Sequence, residues 1–302
     1  MKSFYSNGKL LLTGEYAVLD GALSLALPTK YGQLMTVNAI EKPQLIWRSF
    51  DESGALWFEA TFSLDLMEIT FGMANPISQT LANMLKEAKK MNPEFLTGKT
   101  GYSVMTKLDF SRNWGLGTSS TLINNIAQWT RVDAFELLNK SFGGSGYDIA
   151  CAQNSHPILY RLKDWVPHIQ KSGFNPSFKN KLYFIHLNKK QNSREEIERY
   201  SKQDIDKTGL VENISSITDR IANCNDIMEF ETLLGEHETL LSNALNVPMV
   251  KESHFPDFKG VVKSLGAWGG DFILATGSEE TPDYFKKKGY ETVIRYEDMV
   301  LQ

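Results

Sequence analysis

The stretch Arg112–Trp129, RNWGLGTSSTLINNIAQW, decides how this chain is read. Gly115 and Gly117 stand one residue apart, the hydroxyl residues Thr118, Ser119 and Ser120 follow, and a helix-like run completes the stretch. Glycine reaches backbone angles closed to other residues and lets a ligand approach the main chain. A helix N-terminus presents unpaired N–H groups and a positive dipole end, which together suit an anion such as phosphate. Hydroxyls there can cap the helix or touch a bound metal ion. Two readings are open at this point: a phosphate-binding loop, or an ordinary tight turn with a Ser/Thr cap.

The flanks favour the first. GYSVMTKLDF (residues 101–110) alternates like a strand, and Leu122, Ile123, Ile126 and Ala127 form a stripe of helical period. The loop therefore sits between a strand and a helix, which is the placement a phosphate loop requires. Upstream, QLIWRSF and ALWFEATF across DESG predict a hairpin near residues 44–62. In NPISQTLANMLKEAKKMN, Asn75 is a candidate cap and Pro76 the first helical residue; Ile77, Leu81, Met84, Leu85 and Ala88 fall on one face.

Downstream, a second glycine cluster, SFGGSGYDIACAQ, occupies residues 141–153. Residues 163–180, with Pro167, Gly173 and Pro176, read as an irregular connector between two halves. KLYFIHL then reads as a strand and Ser193–Leu245 as largely helical. GAWGGDFILATG is a glycine-rich turn feeding a strand, followed by a short helix and ETVIRY. This mixed order favours α+β over a doubly wound sheet.

Composition narrows the class. The 302 residues are 42% hydrophobic and 23% charged, enough for a sizeable core. A net charge of −4 argues against a nucleic-acid partner. Cys151 and Cys224 are the only two cysteines and are far apart, so neither a disulfide framework nor a Cys-based zinc site is indicated. The five histidines show no metal spacing and read as core or solvated residues. The N-terminal LLL is too short for a signal peptide, and no run approaches the roughly 18 residues of a membrane span. A cytoplasmic protein with no membrane partner is expected.

With SNGKLLLTGEYAV (6–18), GLGTS (115–119), SGYDIA (145–150) and GAWGGDFIL (266–274) in this order, the chain resembles the GHMP small-molecule kinases. That family is named for galactokinase, homoserine kinase, mevalonate kinase and phosphomevalonate kinase. Within the family two details lean toward phosphomevalonate kinase: GEY at 14–16, where mevalonate kinase usually has GEH, and SGYDIACAQNSHPILYRL, which is similar to its Ser-Gly-x-Asp segment running into a Leu-Tyr strand. The resemblance covers most of the chain. It implies a two-domain α+β fold: a nucleotide-binding domain (residues 1–165) with a left-handed βαβ crossover, and a ferredoxin-like domain (residues 166–302), with the nucleotide between them.

The resemblance also implies roles. Asn113, Trp114, Gly115, Leu116, Gly117, Thr118, Ser119 and Ser120 would wrap the phosphates of ATP, with Thr118 or Ser119 offering a hydroxyl to Mg²⁺. Asp148 would orient or deprotonate the acceptor; a helix cap is its bland alternative. Lys9 would lower the acceptor pKa or hold the γ-phosphate. Glu15, Tyr16, Ser145, Gly146, Ser193, Gly269 and Gly270 would line the acceptor side, and Lys189, Lys190 and Arg194 would meet an acidic acceptor. Glu136, the only glutamate between GLGTSS and SGYD, is the candidate for the family's Mg²⁺-binding carboxylate.

Three departures stand out. Ser6-Asn7 replaces the usual Ala-Pro, Trp268 stands where glycine is common, and the interval before Ser145 is short. The expected activity is ATP-dependent phosphorylation of a small acidic metabolite, phosphomevalonate or mevalonate in isoprenoid precursor synthesis. A sugar or amino-acid kinase, or a kinase-like protein that binds a metabolite without turnover, is the alternative. A homodimer is carried as an option.

Overall fold

The computed structural model describes residues 1–72, 74–189 and 193–302, with backbone alone at 193 and 194. Its elements begin with β1 (Lys2–Thr13), β2 (Ser24–Ile40), β3 (Leu45–Phe50), β4 (Leu56–Phe62), β5 (Ile69–Phe71), α1 (Pro76–Met91) and β6 (Gly101–Leu108). They continue with α2 (Thr118–Thr130), α3 (Ala134–Ser141), α4 (Tyr147–Gln153), β7 (Ile158–Lys163), β8 (Val166–Lys171) and β9 (Leu182–His186). Four helices follow: α5 (Ser193–Ser201), α6 (Lys207–Asn223), α7 (Ile227–Leu245) and α8 (Val250–His254). The chain closes with β10 (Val262–Leu265), β11 (Phe272–Thr276), α9 (Thr281–Lys287), β12 (Val293–Arg295) and α10 (Tyr296–Met299).

Two compact units interleave along the chain. One comprises Met1–Gly8, Tyr31–Arg112 and Leu116–Gln153; the other Lys9–Lys30, Asn113–Gly115 and Asn154–Gln302.

In the first unit the strands lie in the order β5-β4-β3-β6-β2. β3 and β4 form the predicted hairpin, with Arg48 opposite Glu59 and their side chains paired at 2.6 Å. β3 and β6 run parallel side by side, with β4, β5 and α1 between them in sequence. The buried strand residues Val37, Trp47, Ala60 and Val104 share one core with Leu85, Ile123, Ile126 and Leu137 of the helices. Asn75 caps α1 in a capping box, with Pro76 opening the helix. Of the predicted stripe only Ile77 stays out; it lies in the first turn, 43% exposed.

In the second unit, residues 24–26 of β2 pair with β7, and β7 and β8 form a hairpin turning at Asp164 and Trp165. The connector expected at 163–180 thus contains a strand. Pro167 hid it: proline cannot donate to a ladder, but among the described residues β8 has only β7 beside it, so an outward N–H is not needed. The remaining strands form an antiparallel sheet in the order β10-β11-β9-β12. Helices separate β9 from β10 and β11 from β12, which is the ferredoxin-like arrangement. The fold is α+β, as expected. Among the described residues no helix is long and apolar enough to cross a membrane.

Candidate functional site

The glycine loop contributes to both units. In the first, Leu116 is buried and Gly117 is the N-cap residue of α2, with φ 94° and ψ 43°. That angle is open to glycine and strained for residues with a β-carbon. No side chain caps the helix. Ser120 Oγ and Thr121 Oγ1 instead donate back to the Gly117 carbonyl, at 2.9 and 3.0 Å. Ser119 is exposed and Thr118 half-buried. Gly117 thus occupies the N-cap position, and among the described residues no hydroxyl caps it.

A buried polar network fixes α2 beneath that end. Ser6 Oγ donates to Asn125 Oδ1 and accepts from Asn124 Nδ2, each at 2.8 Å. Asn125 Nδ2 donates to the Gln33 carbonyl at 2.9 Å. Gln153 Nε2 donates to Asn124 Oδ1 at 2.9 Å, tying the end of α4 to α2. Ser6 is fully buried, so the departure from the usual alanine has a local reason: both asparagines need it.

Asp148 lies in the first turn of α4, half-buried, and its Oδ1 accepts from the Ile149 N–H at 3.0 Å. Ser145 and Gly146 before it are buried; Gly143, Gly144 and Gly146 all have positive φ. Because α4 packs on α2, the helix carrying Asp148 and the helix opened by Gly117 share one scaffold. Glu136 sits on the exposed side of α3 with its carboxylate 2.7 Å from Lys140 Nζ. Among the described residues no group of three His, Cys, Asp or Glu side chains is arranged to hold a metal ion.

In the second unit, Asn113 and Gly115 of the loop rest on the ends of β9 and β11. His186 Nε2 lies 3.1 Å from the Asn113 carbonyl, and Trp114 meets Phe272 edge-on at 5.6 Å. Gly115, with φ 66°, has the Asp271 carboxylate where a β-carbon would stand. Asp271 in turn donates its N–H to the Lys189 carbonyl at 2.8 Å. Lys9 lies half-buried in β1. Lys190 and the side chains of Ser193 and Arg194 lie outside the described residues.

The turn Gly14–Tyr16 is held from several sides. Tyr16 has φ 63° and ψ −53°, and the Ala17 N–H reaches the Glu15 carbonyl at 2.7 Å. This is a γ-turn of the positive-φ kind, rare and strained for a residue with a side chain. Gly14 N–H donates to His237 Nε2 at 2.9 Å, and Lys263 Nζ donates to Glu15 Oε1 at 2.8 Å. Tyr16 Oη accepts from the Trp268 N–H at 2.8 Å. The Trp268 indole turns away from its backbone into an apolar cluster with Tyr16, Tyr200 and Leu241, and Nε1 donates to the Pro248 carbonyl at 3.1 Å. Gly269, with φ 71°, follows, and Gly270 N–H closes the turn on the Ala267 carbonyl at 3.2 Å.

Lys263 is fully buried, with Glu238 Oε1 3.1 Å from its Nζ on the other side. One ammonium thus faces two carboxylates in a fully buried site. Burial pushes the Glu15 carboxyl up to about 7 against the lowering pull of Lys263, and burial pushes Glu238 up as well. His237 is fully buried, and burial and then Lys263 drive its pKa well below the usual value. It is neutral, with Nε2 as acceptor for Gly14. Its 3.6 Å approach to Glu15 is therefore a contact and no ion pair.

Sequence reasoning missed Lys263, Asp271 and Ser6 as organisers. The available signal was polar residues in apolar strand contexts: Lys263 and Ser264 within VVKSL, and Ser6 ahead of GKLLL. The surface cavity lined by Asn180, Lys181, Ile227, Glu231, Gly277, Ser278 and Glu279 contains none of the expected residues.

No protein-family model matches the chain, and neither does any curated protein sequence. Solved structures match over nearly its whole length. Methanococcus jannaschii mevalonate kinase superposes with a TM-score of 0.72 at 14% identity, covering 100% of this chain and 98% of that one. Streptococcus pneumoniae phosphomevalonate kinase, solved with phosphomevalonate and AMPPNP, gives 0.71 at 16%, covering 98% and 100%. Lactococcus lactis galactokinase, solved with galactose, gives 0.69 at 13%, covering 99% and 93%. At these identities the likeness speaks for architecture alone, and the fold of this chain is the fold of the GHMP small-molecule kinases.

Proposed function

We propose that the protein is an ATP-dependent small-molecule kinase whose acceptor is a small acidic metabolite, phosphomevalonate first and mevalonate second. The observation that carries this reading is the start of α2: its N-cap residue is the positive-φ Gly117, and among the described residues no side chain caps it, beside an exposed Ser119. Such an end favours a phosphate group. The fold shared with kinases that bind mevalonate, phosphomevalonate or galactose supports the same class.

In this reading the backbone of residues 113–120 cradles the nucleotide phosphates. Asp148 accepts the proton of the attacking acceptor oxygen, or orients that oxygen. Lys9 holds the charge of the transferring phosphoryl group while the bond to ADP breaks. Phosphoryl transfer needs positioning and charge neutralisation more than covalent chemistry. Mg²⁺ would neutralise phosphate charge. Sites of this chemistry hold Mg²⁺ with a loop Ser or Thr hydroxyl, a carboxylate, the phosphates and water, so a hydroxyl of Thr118 or Ser119 would supply one ligand. Glu136, already paired with Lys140 on an exposed helix, is the weaker candidate.

The test is ADP release with ATP, Mg²⁺ and, in turn, phosphomevalonate, mevalonate, homoserine and galactose. Turnover with phosphomevalonate is expected. Turnover with galactose alone would move the protein to the sugar-kinase alternative, and no turnover with any acceptor would favour binding without catalysis.

A further inference from the structure

The strained turn at Tyr16 and the glycine-rich turn Gly266–Gly270 are tied together twice within one unit. One tie is a neutral, buried hydrogen bond, from the Trp268 N–H to Tyr16 Oη at 2.8 Å. The other is buried and charged, from Lys263 Nζ to Glu15 Oε1 at 2.8 Å. Lys263 leads directly into the glycine-rich turn, being the second residue of β10. Strain of the Tyr16 kind persists only where the surroundings over-determine it. Here the surroundings are Lys263, His237 and Trp268, and of these only Lys263 brings a charge.

Packing alone does not require this arrangement. A buried ion pair costs desolvation that apolar residues of similar size would avoid, and in some proteins such a pair fixes a geometry that packing alone leaves open. Glu238 and Ser264 complete the geometry: Ser264 Oγ donates to Glu238 Oε2 at 3.2 Å, and Lys263 also donates to the Ser264 carbonyl. The ammonium is thus directed at Glu15 from a scaffold formed by α7 and β10.

We infer that Lys263 is a positioning residue for the acceptor: acting through Glu15, it locks the Tyr16 turn to the glycine-rich turn, so that the two present one rigid surface. This rests on the kinase reading for the acceptor and for its place beside the Tyr16 turn; the locking itself does not depend on it.

Two measurements test the inference on the full-length protein. In Lys263→Met, hydrogen exchange at the Gly14, Ala17 and Trp268 amides should quicken about tenfold, the scale of one lost hydrogen bond. Amides of α9 and β12 should stay unchanged. If Lys263→Met does not fold, Glu15→Gln serves, since it leaves a one-to-one pair of Lys263 and Glu238. In Glu15→Gln the acceptor KM should rise about tenfold while kcat and nucleotide affinity stay within about twofold. Exchange confined to α7 and β10, with the Ala17 and Trp268 amides still protected, would overturn the inference. So would an unchanged acceptor KM in a variant that turns over. If the wild type releases no ADP with any acceptor, the kinase reading fails, and the exchange measurement still decides the locking.

Discussion

The Asp271 carboxylate packs against the α-carbon of Gly115, in the space a β-carbon would need, although the two residues are 156 positions apart. Gly115 is therefore glycine for a reason internal to the protein. Gly115→Ala combines overlap with a φ of 66° and should cost about 2–4 kcal/mol of stability. Adding Asp271→Gly, at a position whose own φ is 51°, should return part of that loss. Equal melting temperatures for Gly115→Ala and wild type would show that the contact is not tight.

Ser6 offers a second stability test. Ser6→Ala restores the residue common in the resembling kinases, yet it leaves Asn125 Oδ1 and Asn124 Nδ2 without their shared partner. Unsatisfied buried amide groups should make this substitution destabilising by about 1–3 kcal/mol in urea titration. A neutral result would mean that the asparagines find other partners.

The buried carboxylates set a pH signature. The Glu15 carboxyl is raised in the folded state to about 7 from an ordinary value near 4.5. A raised carboxyl pKa means that the folded protein holds a proton the unfolded chain releases. Its stabilising contribution is thus complete below about pH 4.5 and fades as pH rises toward 7. His237 acts oppositely, because its depressed pKa costs stability as pH falls below 6.5. Comparing wild type with Glu15→Gln cancels the histidine. The stability difference, wild type minus variant, should shrink by on the order of 1–3 kcal/mol from pH 4.5 to 7. A difference that grows over this range would reverse the assignment.

Asp148 tests the chemistry. If it accepts the acceptor proton, Asp148→Asn should lower kcat about 10²–10⁴-fold and leave ATP affinity nearly intact. Unchanged turnover would remove it from the mechanism, and loss of folding would point to a helix-start role in α4.

Much of the fold was legible because its signals are local. Asn75-Pro76, the DESG turn and the helical stripe of α2 each specify an element within a dozen residues. The β8 strand was not legible, because Pro167 and a turn of two non-glycine positive-φ residues, Asp164 and Trp165, mask its pattern. The glycine loop was visible in sequence, but the reasons for its glycines were only half visible. Gly117 opens a helix seven residues after the strand-like run ends, a local event. Gly115 answers to Asp271, and Glu15 to Lys263, 248 positions away. Such pairings are set by β9, β10 and β11 coming together, which no single window of sequence contains.

In the proposed kinase, the start of α2 binds the phosphates of a nucleotide. Titrating ATP with Mg²⁺ into wild type and Gly117→Val by calorimetry, with melting temperatures on the same samples, tests it most directly. At φ 94° a β-branched residue must strain the backbone or place carbon against the N–H groups of Thr118 and Ser119. The wild type should bind, and a folded Gly117→Val should bind at least about tenfold more weakly. Equal ATP affinity in the two proteins would contradict the claim and leave Gly115–Ser120 as a turn.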